Sequence, residues 1–309
     1  MWRSCGIRAY PVNALGKSRP YWRPFPSVLN QSRNIPVCPP LNFSPRLPID
    51  NPAPIPAVLT VDQYAASVVE KYQIIPRVGS PSHRAADAVI PLLQRWGGQH
   101  LLGITLSGAY AKGTAISLSS SVDVALSLHL SSEMEVRSEF WRLFEYLADQ
   151  NLRPHTRTVS LQVESKGCRV DLVPTWPTGG SEQILYHKEP GSPFHTNMAQ
   201  HVHLITKAGR SQEICALKIW RERHTLDFPS FYLELATLLA LEGERFGQLA
   251  ENVFTVLRYL ASRLAQAVIR DPANPDNVVS DDLTVEEKKT VAQAARQALE
   301  DDDWKRIIW

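Results

Sequence analysis

Residues 121–130 alternate without a break between apolar and polar or small side chains. Val122, Val124, Leu126, Leu128 and Leu130 fall on one face of an extended chain, and Ser121, Asp123, Ala125, Ser127 and His129 on the other. A strand of this kind needs partner strands for its backbone groups and a packed layer over its apolar face. Its second face, with a carboxylate in the middle, is directed at something else. The flanking segments supply the rest of a small sheet. Leu101 to Ser107 reads as a short buried strand, ended by a loop holding Gly108 and Gly113. A helix over Glu133–Asp149 places Phe140, Leu143, Phe144 and Leu147 inward. Strands near Thr156–Glu164 and Cys168–Val173 follow, joined by a Lys166-Gly167 turn.

Helices bracket this sheet. Thr60 and Gln63 form a capping-box pair ahead of a helical stripe of Val61, Tyr64, Ala65, Val68, Val69, Tyr72 and Ile75. A second helix runs from about Ser82 to Trp96, strained by Pro91 and ended by Gly97-Gly98. Beyond about residue 205 the pattern becomes helical. One segment carries Ile214, Leu217 and Ile219, the next spans Ser230–Leu241, another Gln248–Ile269, and the last opens with the capping pair Thr284 and Glu287. No internal repeat is visible. The order of helices, small mixed sheet and helical half defines an α+β chain with a helical partner.

Residues 1–57 differ from everything after them. They hold 12 of the 23 prolines, seven Lys or Arg and a single acid, Asp50. Such a stretch buries too little apolar surface to offset its ordering entropy, and disorder is expected. Its Arg-rich, acid-poor composition is that of a transit peptide, but the prolines spoil an amphipathic helix, and a true start near Val58 is the simpler expectation. The overall charge is +2, so the remainder carries about −4. That excludes a generally basic nucleic-acid binder and leaves only a local cationic cleft. No run approaches the length of an apolar membrane span. Cys5, Cys38, Cys168 and Cys215 form no C-x-x-C pair, which argues against a zinc ribbon or a disulfide framework and suits a reducing cytoplasm. The expected division is a segment 1–57, a sheet-containing domain 58–205 and a helical domain 206–309.

Three features converge on one site. The turn Ser107-Gly108-Ala109-Tyr110-Ala111-Lys112-Gly113-Thr114 follows a strand, and its backbone N–H groups can face an anion such as a triphosphate. It is not a Walker loop, because Thr114 stands where Lys is required. Asp123 lies on the polar face of its strand, and Asp171 lies between core residues in Arg169-Val170-Asp171-Leu172-Val173. An unpartnered carboxylate inside a strand is costly. A shared divalent cation, Mg²⁺ or Mn²⁺, with phosphate oxygens completing its shell, would resolve both. Pairing of the two acids with Arg157 or Arg169 would resolve them equally well, and spacing alone does not choose.

The stretch SGAYAKGTAISLSSSVDVALSL resembles the signature of the polymerase-beta-type nucleotidyltransferases: Gly-Ser, about ten residues, then Asp-x-Asp on a strand. With Tyr110, Lys112-Gly113-Thr114 and the serine run, it is similar to the cGAS/DncV-like nucleotidyltransferases. Arg169 to Pro174 resembles the segment bearing the family's third carboxylate, and Ala216 to Trp220 its Leu-Lys-x-Trp helix. Phe228 to Glu234 resembles its Pro-Ser-aromatic-aromatic-x-Glu stretch, and Asp271 to Pro275 its Asp-Pro-x-x-Pro turn. The resemblance implies a polymerase-beta-like domain with a C-terminal helical domain, and metal-dependent joining of nucleoside triphosphates into a cyclic or linear second messenger. It implies Asp123 and Asp171 as catalytic metal ligands, with Asp171 near the attacking hydroxyl. It implies Gly108, Ala109, Lys112, Ser121 and Lys218 around the triphosphate, and Tyr232, or its neighbour Phe231, against a base. A cytoplasmic setting, a regulatory protein partner and a role in antiviral defence are further implications.

Two departures stand out. Gly108-Ala109 replaces Gly-Ser, which removes a hydroxyl and keeps the N–H. Ser121 replaces the first Asp of Asp-x-Asp, so two of three carboxylates remain. Loss of such a group costs several kcal/mol of transition-state stabilisation, by analogy with other preorganised groups. A working or weakened enzyme and an inactive nucleotide- or partner-binding protein of the same fold are therefore both consistent with the sequence. His201-x-His203 lacks a Cys or acid at matching spacing and reads as surface or loop histidine. The acidic run Glu300–Asp303 reads as a solvated helix end.

Overall fold

The computed structural model describes residues 59–77, 79–119, 121–129, 135–188 and 191–309. The expectations for residues 1–57 lie outside them. Helices α1 (Val61–Tyr72) and α2 (Pro81–Gly97) lead into β1 (Leu101–Leu106), the one-turn α3 (Gly108–Lys112), β2 (Ser121–Leu128) and α4 (Val136–Asp149). Then come β3 (His155–Thr156), β4 (Leu161–Ser165), β5 (Cys168–Gly179), β6 (Glu182–His187) and β7 (Ser192–Thr196). The remainder holds α5 (Met198–Ala208), α6 (Ser211–Arg223), α7 (Ser230–Ala240), α8 (Leu249–Arg263), the hairpin β8 (Arg270–Asp271) and β9 (Asn274–Val278), α9 (Val285–Glu300) and α10 (Trp304–Ile307).

Local chemistry accounts for the element ends. Thr60 and Gln63 cap α1 reciprocally, the Gln63 N–H donating to Thr60 Oγ1 at 3.2 Å and the Thr60 N–H to Gln63 Oε1 at 2.9 Å. Thr284 and Glu287 do the same for α9. Pro91 sits inside α2 on its exposed side, so the carbonyl it orphans meets water and the helix continues to Gly97. Lys166 and Gly167 both take positive φ, the conformation a two-residue hairpin between β4 and β5 requires.

The sheet runs β1-β2-β5-β4-β3, and β6 and β7 extend it from the far end of β5. Only the β2–β5 pair is parallel. Val122, Val124, Leu126 and Leu128 pack with Val170, Leu172 and Trp176 under Ala85, Val89 and Leu93 of α2 and Phe140, Leu143 and Leu147 of α4. Each large side chain buried here contributes about 1.5–3 kcal/mol. The opposite face carries Asp123 and Asp171. Its next row, Ala125 and Val173, is buried and apolar and closes the floor behind the two acids.

A second core joins α6, α7, α8, α9 and the C-terminal Trp304, Ile307 and Ile308, and it also takes Ala65, Val68 and Val69 of α1. The chain order of the two cores is therefore interleaved: α1 precedes the sheet in sequence yet packs with the helical half. Its end is stitched to the loop beyond α3. The Ile74 N–H donates to the Ala115 carbonyl at 2.8 Å, the Ser117 N–H to the Tyr72 carbonyl at 2.7 Å, and Gln73 Nε2 to the Gly113 carbonyl at 3.1 Å. Among the described residues, no helix is long and apolar enough to cross a membrane.

Candidate nucleotide site

Because β2 and β5 run parallel in unbroken register, Asp123 stands directly opposite Asp171. Neighbouring strands are about 4.8 Å apart and paired residues share a face, so the two carboxylates project side by side. The two acids meet at this one row although 47 residues separate them in the chain. Neither acid is paired with Arg157 or Arg169. Asp171 is buried and accepts from Gln162 Nε2, across β4, at 2.9 Å. Asp123 keeps part of its surface open and accepts from the Ala109 N–H. Burial first, and then the neighbouring Asp171, push Asp123 up to about 6, against the opposing pull of Lys112, the Ala109 N–H and Lys218.

The Gly108 turn lies on top of this pair. The Ser107 N–H donates to the Asp123 carbonyl at 2.8 Å, and Gly108 takes φ +56° to open α3. A β-carbon on Gly108 would stand 1.9 Å from Asp123 Oδ2 and 2.4 Å from its Cγ. Glycine is required here twice, for the backbone conformation and for the carboxylate that fills the missing side chain's place. Ser121 begins β2 one row earlier on the same face, opposite Arg169.

Lys112 and Lys218 converge, but on a third acid. Glu234 of α7 receives Lys112 Nζ at 2.8 Å, Lys218 Nζ at 2.7 Å and Thr114 Oγ1 at 2.9 Å, and Lys218 also donates to Thr114 Oγ1 at 3.0 Å. All four residues are buried. Burial alone would raise the Glu234 carboxyl, yet the two ammonium groups hold it at about 2. The lysines expected at a triphosphate are therefore tied to Glu234 in this structure, while their field still reaches Asp123.

Tyr232 does not reach the site. It is fully buried in the helical core, with its hydroxyl unpartnered and its titration pushed up by burial. A ring with no accessible face cannot stack on a base. Phe231 is the neighbour on the site side: Lys112 Nζ lies 4.5 Å from its centroid, and the His201 ring packs on it at 4.4 Å. His201 lies in α5 and not in a loop, and it meets Asp271 at 2.6 Å. Sequence reasoning missed Gln162, Thr114 and His201 and gave Glu234 no role. Thr114, His201 and Glu234 stand in stretches the sequence reading singled out, but their partners were not legible there; Gln162 offered only a polar residue mid-strand.

The donor set tests the cation expectation. Asp123 and Asp171 offer hard oxygen to one divalent ion, with phosphate and water completing the shell, which is how Mg²⁺ is usually held. Among the described residues no group of three or more His, Cys, Asp or Glu could hold a metal. The residues fit one cation and do not fit a protein-built pair.

No protein-family model matches the chain, and no curated protein matches its sequence. Solved structures do match. CdnC of E. coli MS115-1, in its complex with HORMA-deltaN, is 23% identical with a TM-score of 0.60, covering 78% of this chain and 90% of that one. The CD-NTase CdnG of Bradyrhizobium diazoefficiens, in complex with GTP, is 14% identical with a TM-score of 0.61, covering 79% and 92%. The cyclic dinucleotide synthase CdnE of Elizabethkingia meningoseptica, with GTP and Apcpp, is 13% identical with a TM-score of 0.56, covering 79% and 100%. The protein has the cGAS/DncV-like nucleotidyltransferase fold, a mixed sheet flanked by helices.

Proposed function

We propose that the protein binds a nucleoside triphosphate with a divalent cation, Mg²⁺ or Mn²⁺, and transfers the nucleotidyl group to a hydroxyl, building a cyclic or linear oligonucleotide signal. The side-by-side placement of Asp123 and Asp171 beneath the Gly108 turn carries this reading. A cation held by the two carboxylates would supply charge neutralisation at the phosphates. The Ala109 region presents the turn to the triphosphate, and Lys112 and Lys218 give the pocket its positive field. The attacking oxygen forms its bond to the α-phosphorus as the bond to pyrophosphate breaks, and the hydroxyl proton passes towards Asp171. Phe231, beside Lys112, is the side chain this reading assigns to a base. The structures with ATP, GTP and HORMA-deltaN concern other proteins; by likeness to them, nucleotides and a regulatory protein are the proposed partners here, in the cytoplasm.

Ser121 favours a second reading, a protein of this fold that binds nucleotide or partner without turnover. Incubation with labelled ATP and GTP plus Mg²⁺ or Mn²⁺ separates the two. The first reading expects product from the parent, about 10²-fold more from Ser121→Asp and none from Asp171→Asn. Product from Ser121→Asp alone, with nucleotide binding intact in the parent, would establish the second. No product and no nucleotide binding in either protein would end both.

A further inference from the structure

The first two rows of the open sheet face have different charges, and the difference assigns a role to Arg169. The second row is Asp123 opposite Asp171; the first is Ser121 opposite Arg169, with Glu164 beyond it on β4. Residues two apart along a strand share a face, so Arg169 projects on the same side as Asp171, about 6.6 Å further back. Arg169 is exposed, and its guanidinium has no hydrogen bond or ion pair among the described residues. Glu164, its cross-strand neighbour, is also exposed and makes no ion pair with it. Glu164 is two strands from Ser121, about 10 Å, and cannot stand in for the missing carboxylate.

We infer that the site takes a single divalent cation and that Arg169 provides, towards the bound triphosphate, the positive charge a second cation would otherwise bring. The inference rests on the nucleotide-binding reading above. Three observations carry it. Ser121 is neutral and leaves a second cation with Asp123 as its only protein carboxylate on that side. Lys112 and Lys218 are already bound to Glu234 and do not project from the sheet. Arg169 is the one Lys or Arg on β2, β4 and β5, and its long stem spans the step to the Asp123 row. A planar guanidinium pairs two phosphate oxygens at once and needs no carboxylate cage, so it suits a row from which the carboxylate is gone. The ligand class is a nucleoside triphosphate carrying one Mg²⁺.

The test uses the full chain, Mn²⁺ and a non-hydrolysable ATP analogue, read by electron paramagnetic resonance and by calorimetric titration. The parent is expected to show one magnetically isolated Mn²⁺ per bound analogue, and Ser121→Asp a coupled pair. Arg169→Ala is expected to weaken analogue binding about tenfold in the parent, with Arg169→Lys recovering part of it and with less loss in the Ser121→Asp background. A coupled Mn²⁺ pair in the parent overturns the inference and leaves the nucleotide-binding reading standing. Unchanged affinity in Arg169→Ala overturns the role of Arg169. Failure of the parent to bind either Mn²⁺ or analogue overturns the inference and the reading together.

Discussion

Two charged clusters, coupled through the field of Lys112 and Lys218, are built on opposite terms. Around Glu234, two lysines and a threonine hydroxyl satisfy one carboxylate in a space closed to water. At Asp123 and Asp171, two like charges lie side by side with one amide donor identified for each, Ala109 N–H and Gln162 Nε2. The first cluster is complete without a ligand. The second is left short of positive charge. Keeping carboxylates together in this way costs stability, which marks the pair as a candidate functional site.

The largest expected effect comes from breaking the complete cluster. Glu234→Ala strands two buried ammonium groups and is expected to cost about 3–5 kcal/mol in urea denaturation. The pH dependence follows the same logic. The Glu234 carboxyl is lowered from 4.5 to about 2 in the folded protein, so its contribution is whole above about pH 4.5 and is lost as pH falls towards 2. Glu234→Gln should flatten the acid-unfolding curve in that window.

Next in size is Gly108→Ala. The new methyl collides with the Asp123 carboxylate at a backbone angle that L residues resist, and a loss of about 2–3 kcal/mol is expected with nucleotide binding reduced in parallel. A thermal scan with and without ATP measures both.

Neutralising the incomplete cluster should do the reverse. Asp123 is raised from 3.8 to about 6, so its ionised form destabilises the fold fully above about pH 6, and that penalty disappears below about pH 4. Asp123→Asn is therefore expected to stabilise the cation-free protein by about 1–2 kcal/mol at pH 7.5, with the gain shrinking by pH 4.5. Denaturation in chelator at both pH values checks it, and a loss of stability at pH 7.5 would show that the Asp123 and Asp171 pair carries no repulsive cost. Smallest is Tyr232→Phe. Removing a buried, unpartnered hydroxyl should change stability by less than about 1 kcal/mol, in the stabilising direction, and leave calorimetric nucleotide affinity unmoved.

The contrast also explains what the sequence disclosed. The alternation of Val122 to Leu128 and the Thr60 and Thr284 caps are local, and they stand where the residues placed them. Asp123 and Asp171 each stood out as acids within strands, but their meeting depends on a parallel register set by chain that returns through α4, β3 and β4, and no local pattern encodes a register. The partner of Lys218 was hidden for the same reason, since Glu234 sits on another helix. β6 and β7 went unread because Ser192–Thr196 is short, largely exposed and without alternation, and its partner follows directly on the turn at Gly179-Gly180. In α1 the stripe of Ala65, Val68 and Val69 was plain, while the surface it covers, the helical core, was not.

That first helix has a consequence for the site it never touches. Through Tyr72, Gln73 and Ile74 it fastens the loop following the Gly108 turn to the bundle of α6 to α9, so the turn takes its position from both cores at once. A cavity opened at Val69 or Leu257, both in the helical core, would shift the seat of Gly108 over Asp123. Defects in the bundle's interior would then register at the Asp123 and Asp171 row in a protein that still folds.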